Sequence, residues 1–356
     1  MNEIKSLTAM RGIFALWVLA YHIEGRSGMP RGIAFMSYGY LGVDFFFLLS
    51  GFILAGAYGA TFSDCWKFRD FGRFLVRRVR RIFPLHWAVL AVAIAIAVVE
   101  GSPPALWPMV REITLTHMWS EGVPRINGLD WTLSTELAAN VILPILAVLT
   151  LKGTRQGQYL SVATLVVAVV TLLTNASDHG WSLDDVETPP AMVRCICEFT
   201  IGMLIYRWHR TTALLSSDLV LSAVTILLIG LVALRAGDVA IALTMAVGLF
   251  GLAGNIGRFA DVLSIRPLHY LGKISFSLYL VQAPVLWLIR RVIGDLSPAS
   301  GRYWIFGLTA ILGTIAVSHL TYTYIELRFK NLRRQSAHSL APEDGPAAGP
   351  LPGPVS

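Results

Sequence analysis

The sequence predicts an all-α protein, a polytopic transmembrane bundle of about ten spanning helices with both termini on the cytoplasmic side. Three observations carry that expectation. Of 356 residues, 55% are apolar and only 14% are charged, about half the charged share of an ordinary soluble domain, which excludes a water-soluble globule. Apolar runs long enough to cross a bilayer, each needing about 20 residues, recur from one end of the chain to the other. Lysine and arginine gather in alternate segments between those runs, as expected when one side of the membrane collects positive charge.

The runs fall in order at roughly 7–23, 39–60, 84–100, 131–151, 159–175, 191–206, 217–234, 239–256, 270–289 and 303–324. Backbone groups in hydrocarbon must be satisfied within their own segment, so each run is expected to be a helix. The first run follows a short polar start and has no small-x-small cleavage site after it. It is expected to be kept as a helix rather than removed as a signal peptide. With the N-terminus inside, the inner segments hold eighteen basic residues, among them Lys5, seven between 67 and 81, and four between 328 and 334. The outer segments hold Arg26, Arg31, Arg111, Arg125 and Arg235, with Arg290, Arg291 and Arg302 at the edges. The surplus of 29 basic over 22 acidic residues is thereby assigned to a membrane face and to an anionic ligand, and no nucleic-acid partner is expected.

Residues 1–334 read as one membrane domain, and 335–356, rich in Pro, Ala and Gly, as a disordered cytoplasmic tail. There is no internal repeat of the kind that marks many transporters. The outer segment Gly101 to Asp130 has few charges and carries Trp107 and Trp119, which makes it a candidate lid. Cys65, Cys195 and Cys197 form neither a disulfide framework nor a zinc motif, and no metal site is expected.

Charge inside hydrocarbon is costly, so ionisable residues within spans are candidates for function. Arg11 and His22 lie eleven residues apart, three helical turns and about 16 Å along one stripe of the first helix. His22 falls toward the outer end, and Asp44, Glu136 and Arg194 are expected at a similar depth on other helices. A histidine beside a carboxylate suits general-base work, because the acid fixes the tautomer and stabilises the imidazolium. The plainer alternative is a buried salt-bridge cluster. At the inner face the segment KFRDFGRFLVRRVRRIFP between the second and third spans carries basic residues every three or four positions. Anchoring to the membrane face explains such a run. So does a phosphate clamp, in which Arg forks hold phosphate oxygens.

On these residues the chain resembles the acyltransferase 3 family of integral membrane proteins, over about residues 4–334. The opening arginine and histidine of that family are matched by Arg11 and His22, and its Gly-Val-Asp-Phe-Phe-Phe block by Gly42 to Phe52. Its basic stretch ending in Arg-Ile-x-Pro is matched at Arg78, Arg81, Ile82 and Pro84, its Trp-Ser-Leu-x-x-Glu block at Trp131, Thr132, Leu133 and Glu136, and its late Ser-rich block at Gly272, Ser275, Ser277, Tyr279 and Leu280. The chain departs from the pattern at Gln282, where a histidine is usual, at Phe276 for a tyrosine, at His86, where a tyrosine is common, and at Glu326, which lacks the following Pro.

The resemblance implies a bacterial plasma-membrane enzyme that moves an acyl group, expected to be acetyl, from cytoplasmic acyl-CoA to a hydroxyl of an extracytoplasmic saccharide. Acetyl-CoA is then a donor substrate, no cofactor is bound tightly, and membrane lipid surrounds the chain. The expected donor-binding residues are Arg11, Arg73, Arg77, Arg78 and Arg81. The expected catalytic residues are His22 as base, with Glu136 or Asp44 orienting it. Trp119, Trp131, Ser134, Arg194, Ser275, Tyr279 and Gln282 are candidates for holding substrate or stabilising developing charge. Two alternatives stay open at this point: transfer to a macrolide or other small molecule, and transport of a lipid-linked saccharide without chemistry.

Overall fold

The computed structural model describes residues 3–27, 33–64, 66–180, 182–184, 187–209, 216–294, 296 and 301–330. Trp181 and the segment 335–356 lie outside them. Among the described residues every regular element is a helix. In chain order these are α1 (Lys5–Ser27), α2 (Ala34–Ser37), α3 (Gly42–Phe62), α4 (Phe68–Val99), α5 (Leu106–Ile113), α6 (Trp131–Val141), α7 (Leu143–Leu151) and α8 (Arg155–Asp178). There follow α9 (Pro190–Trp208), α10 (Asp218–Ala233), α11 (Asp238–Leu252), α12 (Arg258–Leu263), α13 (Arg266–Lys273), α14 (Ser275–Ile293) and α15 (Arg302–Thr321). A π-helical turn at Tyr322–Glu326 carries α15 onward.

All ten expected runs are helical, but they are not ten equivalent spans. Six helices are long and apolar enough to cross a membrane: α1, α3 with the turn before it, α4, α8, α14, and α15 with its continuation to Lys330. The run 131–151 is broken into α6 and α7, which meet at 63°. Pro144 stands at the start of α7, and its missing N–H and ring disfavour an unbroken helix through 140–144. The pair counted as one span makes seven. α10 and α11 have 16 and 15 residues, a rise of about 22–24 Å against a hydrocarbon core of about 30 Å. α9 carries Arg194, Glu198 and Arg207 within its 19 residues.

The basic segment after α3 is likewise not a loop. α4 runs unbroken for 32 residues from Phe68, because Arg, Leu and Phe at helical spacing give it an apolar stripe through its charged half. Phe74, Arg78, Ile82, Leu85, His86 and Val89 form that buried stripe.

Lipid offers no hydrophobic drive for helices to meet, so close packing must supply it. At the centre α3 crosses α9 with backbones nearly touching. A Cβ on Gly51 would fall on the Phe199 carbonyl, and one on Gly202 on the Leu48 carbonyl. The apolar cores on either side of this crossing are formed by α3, α4, α6 and α9, and by α1, α3, α9 and α11. α1 packs its remaining face on α14 and α15. The polar residues of α1, α3, α4, α6 and α14 are thereby turned toward one another.

Candidate active site

Three cavities follow one another along α1. At the end of the bundle where Arg11 lies, a cavity of about 400 Å³ is lined by Leu7 and Arg11 of α1, Arg80 and Arg81 of α4, Lys273 and Lys330. Two acids, Glu3 and Glu326, share it with those five cations. Glu326 accepts a hydrogen bond from the Ser277 hydroxyl. This end therefore carries a positive surplus in a concave, partly enclosed space, the setting in which guanidinium groups hold phosphate.

Arg11 and Arg81 also line the next cavity, of about 100 Å³, with Arg78, Glu136, Ser275 and Tyr279. Here Arg78 Nη2 donates to Glu136 Oε1 at 2.5 Å. Ser275 gives its hydroxyl hydrogen to the Gly272 carbonyl.

Tyr279 and Val43 belong both to this cavity and to the third, of about 620 Å³, which holds His22, Tyr40, Leu129, Trp131 and Arg194. Tyr279 is thus the junction. Its hydroxyl donates to the Leu129 carbonyl at 3.1 Å and lies 3.2 Å from Thr132 Oγ1. Ser275, Tyr279 and Gln282 are spaced four and three residues apart, so one face of α14 runs beside the Arg11–His22 face of α1.

In the third cavity Arg194 is held rigidly. Its Nε donates to Asp44 Oδ1 at 2.8 Å and its Nη2 to Asp44 Oδ2 at 2.5 Å, while Nη1 donates to the Leu183 carbonyl. The guanidinium carbon sits 5.8 Å from the centre of the Trp131 ring. Three of its five N–H groups are used. Arg194 also lines the third cavity. The Gln282 carboxamide lies near the His22 imidazole, whose Nδ1 makes no hydrogen bond of good geometry. Gln282 Nε2 donates to the Tyr279 carbonyl at 3.0 Å.

Several expected placements change. Asp44 and Glu136 do not lie against His22. Asp44 is wholly buried and occupied by Arg194, and Glu136 is one cavity away, occupied by Arg78. The reason is depth: α6 starts below the rim, with Asp130 and Trp131 already buried, so five residues further on Glu136 has reached the middle level. Arg73 and Arg77 are exposed and line none of the three cavities. Arg73 pairs with Asp70 at 3.7 Å. Ser134 lines none either: its hydroxyl donates to the Leu115 carbonyl and accepts from Met118 N–H, pinning the preceding segment. Trp119 donates its indole N–H to the Ser134 carbonyl at 3.0 Å and is half-exposed beside that segment, while Trp107 packs on Arg111. Of the tryptophans named from the sequence, Trp131 reaches the third cavity.

Sequence reasoning passed over Arg80, Lys273 and Lys330, which only the packing of three separate elements brings together. It also assigned no chemistry to His86. That residue is buried in a cluster with Glu112, His117 and Asp130, at the foot of the segment expected to be a lid.

Comparison with known proteins agrees with this architecture. The family model described as an acyltransferase domain, of the acyltransferase 3 family, matches residues 4–323. The acyltransferase MdmB of Streptomyces mycarofaciens is 28% identical over 91% of this chain and 88% of its own length. Nodulation protein 10 of Rhizobium leguminosarum bv. viciae is 25% identical over 82% of each chain. The protein YrhL of Bacillus subtilis (strain 168), provisionally named a peptidoglycan O-acetyltransferase, is 24% identical over 95% of this chain, which spans 56% of that relative. No solved structure matches. With ten helical runs, a family match over nearly its whole length and relatives named as acyltransferases, the chain belongs to the acyltransferase 3 family and is a membrane acyltransferase.

Proposed function

We propose that the protein transfers an acyl group, acetyl or a close analogue, from cytoplasmic acyl-CoA to a hydroxyl of an extracytoplasmic saccharide at the bacterial inner membrane. The observation that carries this reading is the row of three adjoining cavities with guanidinium groups at one end, His22 at the other and Tyr279 at the junction. The orientation, with the Arg11 end in the cytoplasm, is supported by eighteen basic residues in the segments on that side. The clustering of Lys273 and Lys330 with Arg11 points the same way.

In this scheme Arg11, Arg80 and Arg81 take the nucleotide phosphates. The long flexible arm of the donor runs along α1 through the middle cavity, past the Arg78–Glu136 pair and Tyr279, and brings its thioester to the third cavity. His22 accepts the proton of the acceptor hydroxyl as that oxygen attacks the thioester carbonyl. The carbon–sulfur bond breaks, and the departing thiolate recovers the proton from the imidazolium. The Arg194 guanidinium faces the oxygen on which charge develops. Gln282 orients the imidazole, the task the sequence alone gave to a carboxylate. Asp44 and Glu136 act one step back, by holding Arg194 and Arg78. The saccharide is favoured as acceptor because one relative is named for peptidoglycan and because Trp131, over Arg194, offers an aromatic face in the same cavity.

The test is incubation of membranes with labelled acetyl-CoA, comparing wild type with His22→Ala at matched expression. Label in an extracytoplasmic glycan that depends on His22 is the expected result. Full labelling by His22→Ala overturns the scheme.

A further inference from the structure

From a cluster of four buried side chains at the foot of the 101–130 segment, we propose a structural divalent-cation site of the zinc class, ligated by Glu112, His117 and Asp130 with His86 completing it. Glu112, His117 and Asp130 each bring a donor atom within 4.8 Å of the others, and all three are buried. His117 Nε2 lies 3.5 Å from Asp130 Oδ1, and His86 Nδ1 lies 3.7 Å from Asp130 Oδ2. Donors on a tetrahedral ion with bonds of about 2.0–2.1 Å stand about 3.3 Å apart, so the two Asp130–histidine pairs are within a few tenths of an ångström of that spacing, and the Glu112 donor, within 4.8 Å of those of His117 and Asp130, closes in on binding.

Hydrogen-bond chemistry is what singles out a cation. His86 Nε2 is 2.9 Å from the Glu112 carbonyl oxygen. A carbonyl only accepts, so Nε2 carries the hydrogen and the neutral ring leaves its Nδ1 lone pair facing Asp130. A lone pair aimed at a carboxylate oxygen is repulsive unless a proton or a metal ion lies between them. Neither oxygen of Asp130, neither ring nitrogen of His117 and not His86 Nδ1 makes a hydrogen bond of good geometry, and each of these residues is at most 1% exposed. Two buried carboxylates whose closest ion-pair partners are imidazoles carry a large desolvation cost, which a doubly charged ion offsets. The Glu112 carboxylate is itself oriented by the N–H groups of Ile126 and Asn127, the outer support that metal ligands commonly have. His117 also lines a separate cavity of about 260 Å³ beside Arg125 and Glu187, which gives an ion a way in.

The site ties three parts of one segment to the membrane body: α5 through Glu112, the turn at His117–Trp119, and the head of α6 through Asp130, all against His86 of α4. Gly128 and Leu129, two residues and one residue before Asp130, line the His22 cavity, so the ion fixes one wall of it without touching the reaction.

The experiment uses the full chain, purified in detergent without chelator and carrying a tag free of histidine. Elemental analysis of the wild type is expected to give close to one zinc per chain. Stripping with EDTA should lower the melting temperature by several degrees, and added Zn²⁺ should restore it. His117→Ala and Asp130→Asn should each cut bound zinc at least tenfold. Wild-type protein with less than a tenth of an equivalent, and with melting indifferent to EDTA and to Zn²⁺, overturns the proposal. That is the result expected if Glu112 and Asp130 merely share a proton. Full zinc content in His117→Ala overturns the ligand set.

Discussion

Asp44→Asn tests the claim that Asp44 holds Arg194 rather than orienting His22. The substitution keeps the shape of the side chain and removes its charge, leaving the Arg194 guanidinium buried at 1% exposure without its bidentate partner. Removing one member of a buried ion pair costs about 3–5 kcal/mol. Glu198, one turn along α9 and also buried, remains near the guanidinium and holds the cost to the low end of that range. For the 320 residues of the matched domain, at about 2 cal/mol/K each, the entropy of unfolding is about 0.7 kcal/mol/K. A loss of 3 kcal/mol then lowers the melting temperature by about 4–5 °C. The assay is thermal unfolding in detergent followed by tryptophan fluorescence, with Trp131 on Arg194 as a local reporter. The double variant Asp44→Ala, Arg194→Met closes the argument. With both members of the pair gone, Glu198 is the buried acid that stays behind, and the double variant should be destabilised by clearly less than the sum of the single ones although acyl transfer stays impaired. An Asp44→Asn variant that melts with the wild type, or a double variant whose loss equals the sum of the single ones, refutes the assignment.

Arg11→Ala and Arg81→Ala should each raise KM for acyl-CoA about 10- to 100-fold, the worth of a charge-assisted contact of about 1.5–3 kcal/mol. Arg73→Ala and Arg77→Ala should change it less than about twofold; steady-state kinetics on membranes checks all four, and equal losses would mean a diffuse surface charge rather than a clamp. Gln282→Ala should lower kcat about tenfold with KM for acyl-CoA unchanged, measured in the same assay, since it acts on the orientation of His22 and lies a cavity away from the phosphates. Gly51→Ala should abolish the folded monomer in fluorescence-detected size exclusion, because its methyl group meets the Phe199 carbonyl, whereas Gly230→Ala, which meets nothing within 4 Å, should behave as wild type.

Helix positions were legible because hydrocarbon leaves the backbone no alternative, and the two ends of the Arg11–His22 stripe were legible because a single helix sets their spacing. Where α4 begins was not. Its first sixteen residues are amphipathic rather than apolar, so a search for hydrophobic runs starts at Pro84 and misses the half of the helix that carries Arg78, Arg80 and Arg81. Nor was the break between α6 and α7, which turns on one proline inside a run that composition alone extends to twenty residues.

Depth explains the misplaced acids. Counting residues along a helix fixes height only relative to where that helix starts, and the start of α6 is sunk into the bundle by Asp130, which faces His86 and His117 rather than water. Glu136 thereby descends to the level of Arg78, and Asp44, at the head of α3, turns sideways to α9. Asp44 and Glu136 each pair with the guanidinium beside them, since an unpaired charge at that depth costs more than the pair. Two further acids, Glu24 and Asp184, line the His22 cavity and accept from Ser37 and Tyr21, while the Gln282 amide lies near the imidazole. In the proposed scheme, with Asp44 committed to Arg194 and Glu136 to Arg78, the stabilisation of the transition state falls the more heavily on Arg194, whose own charge Asp44 holds in position.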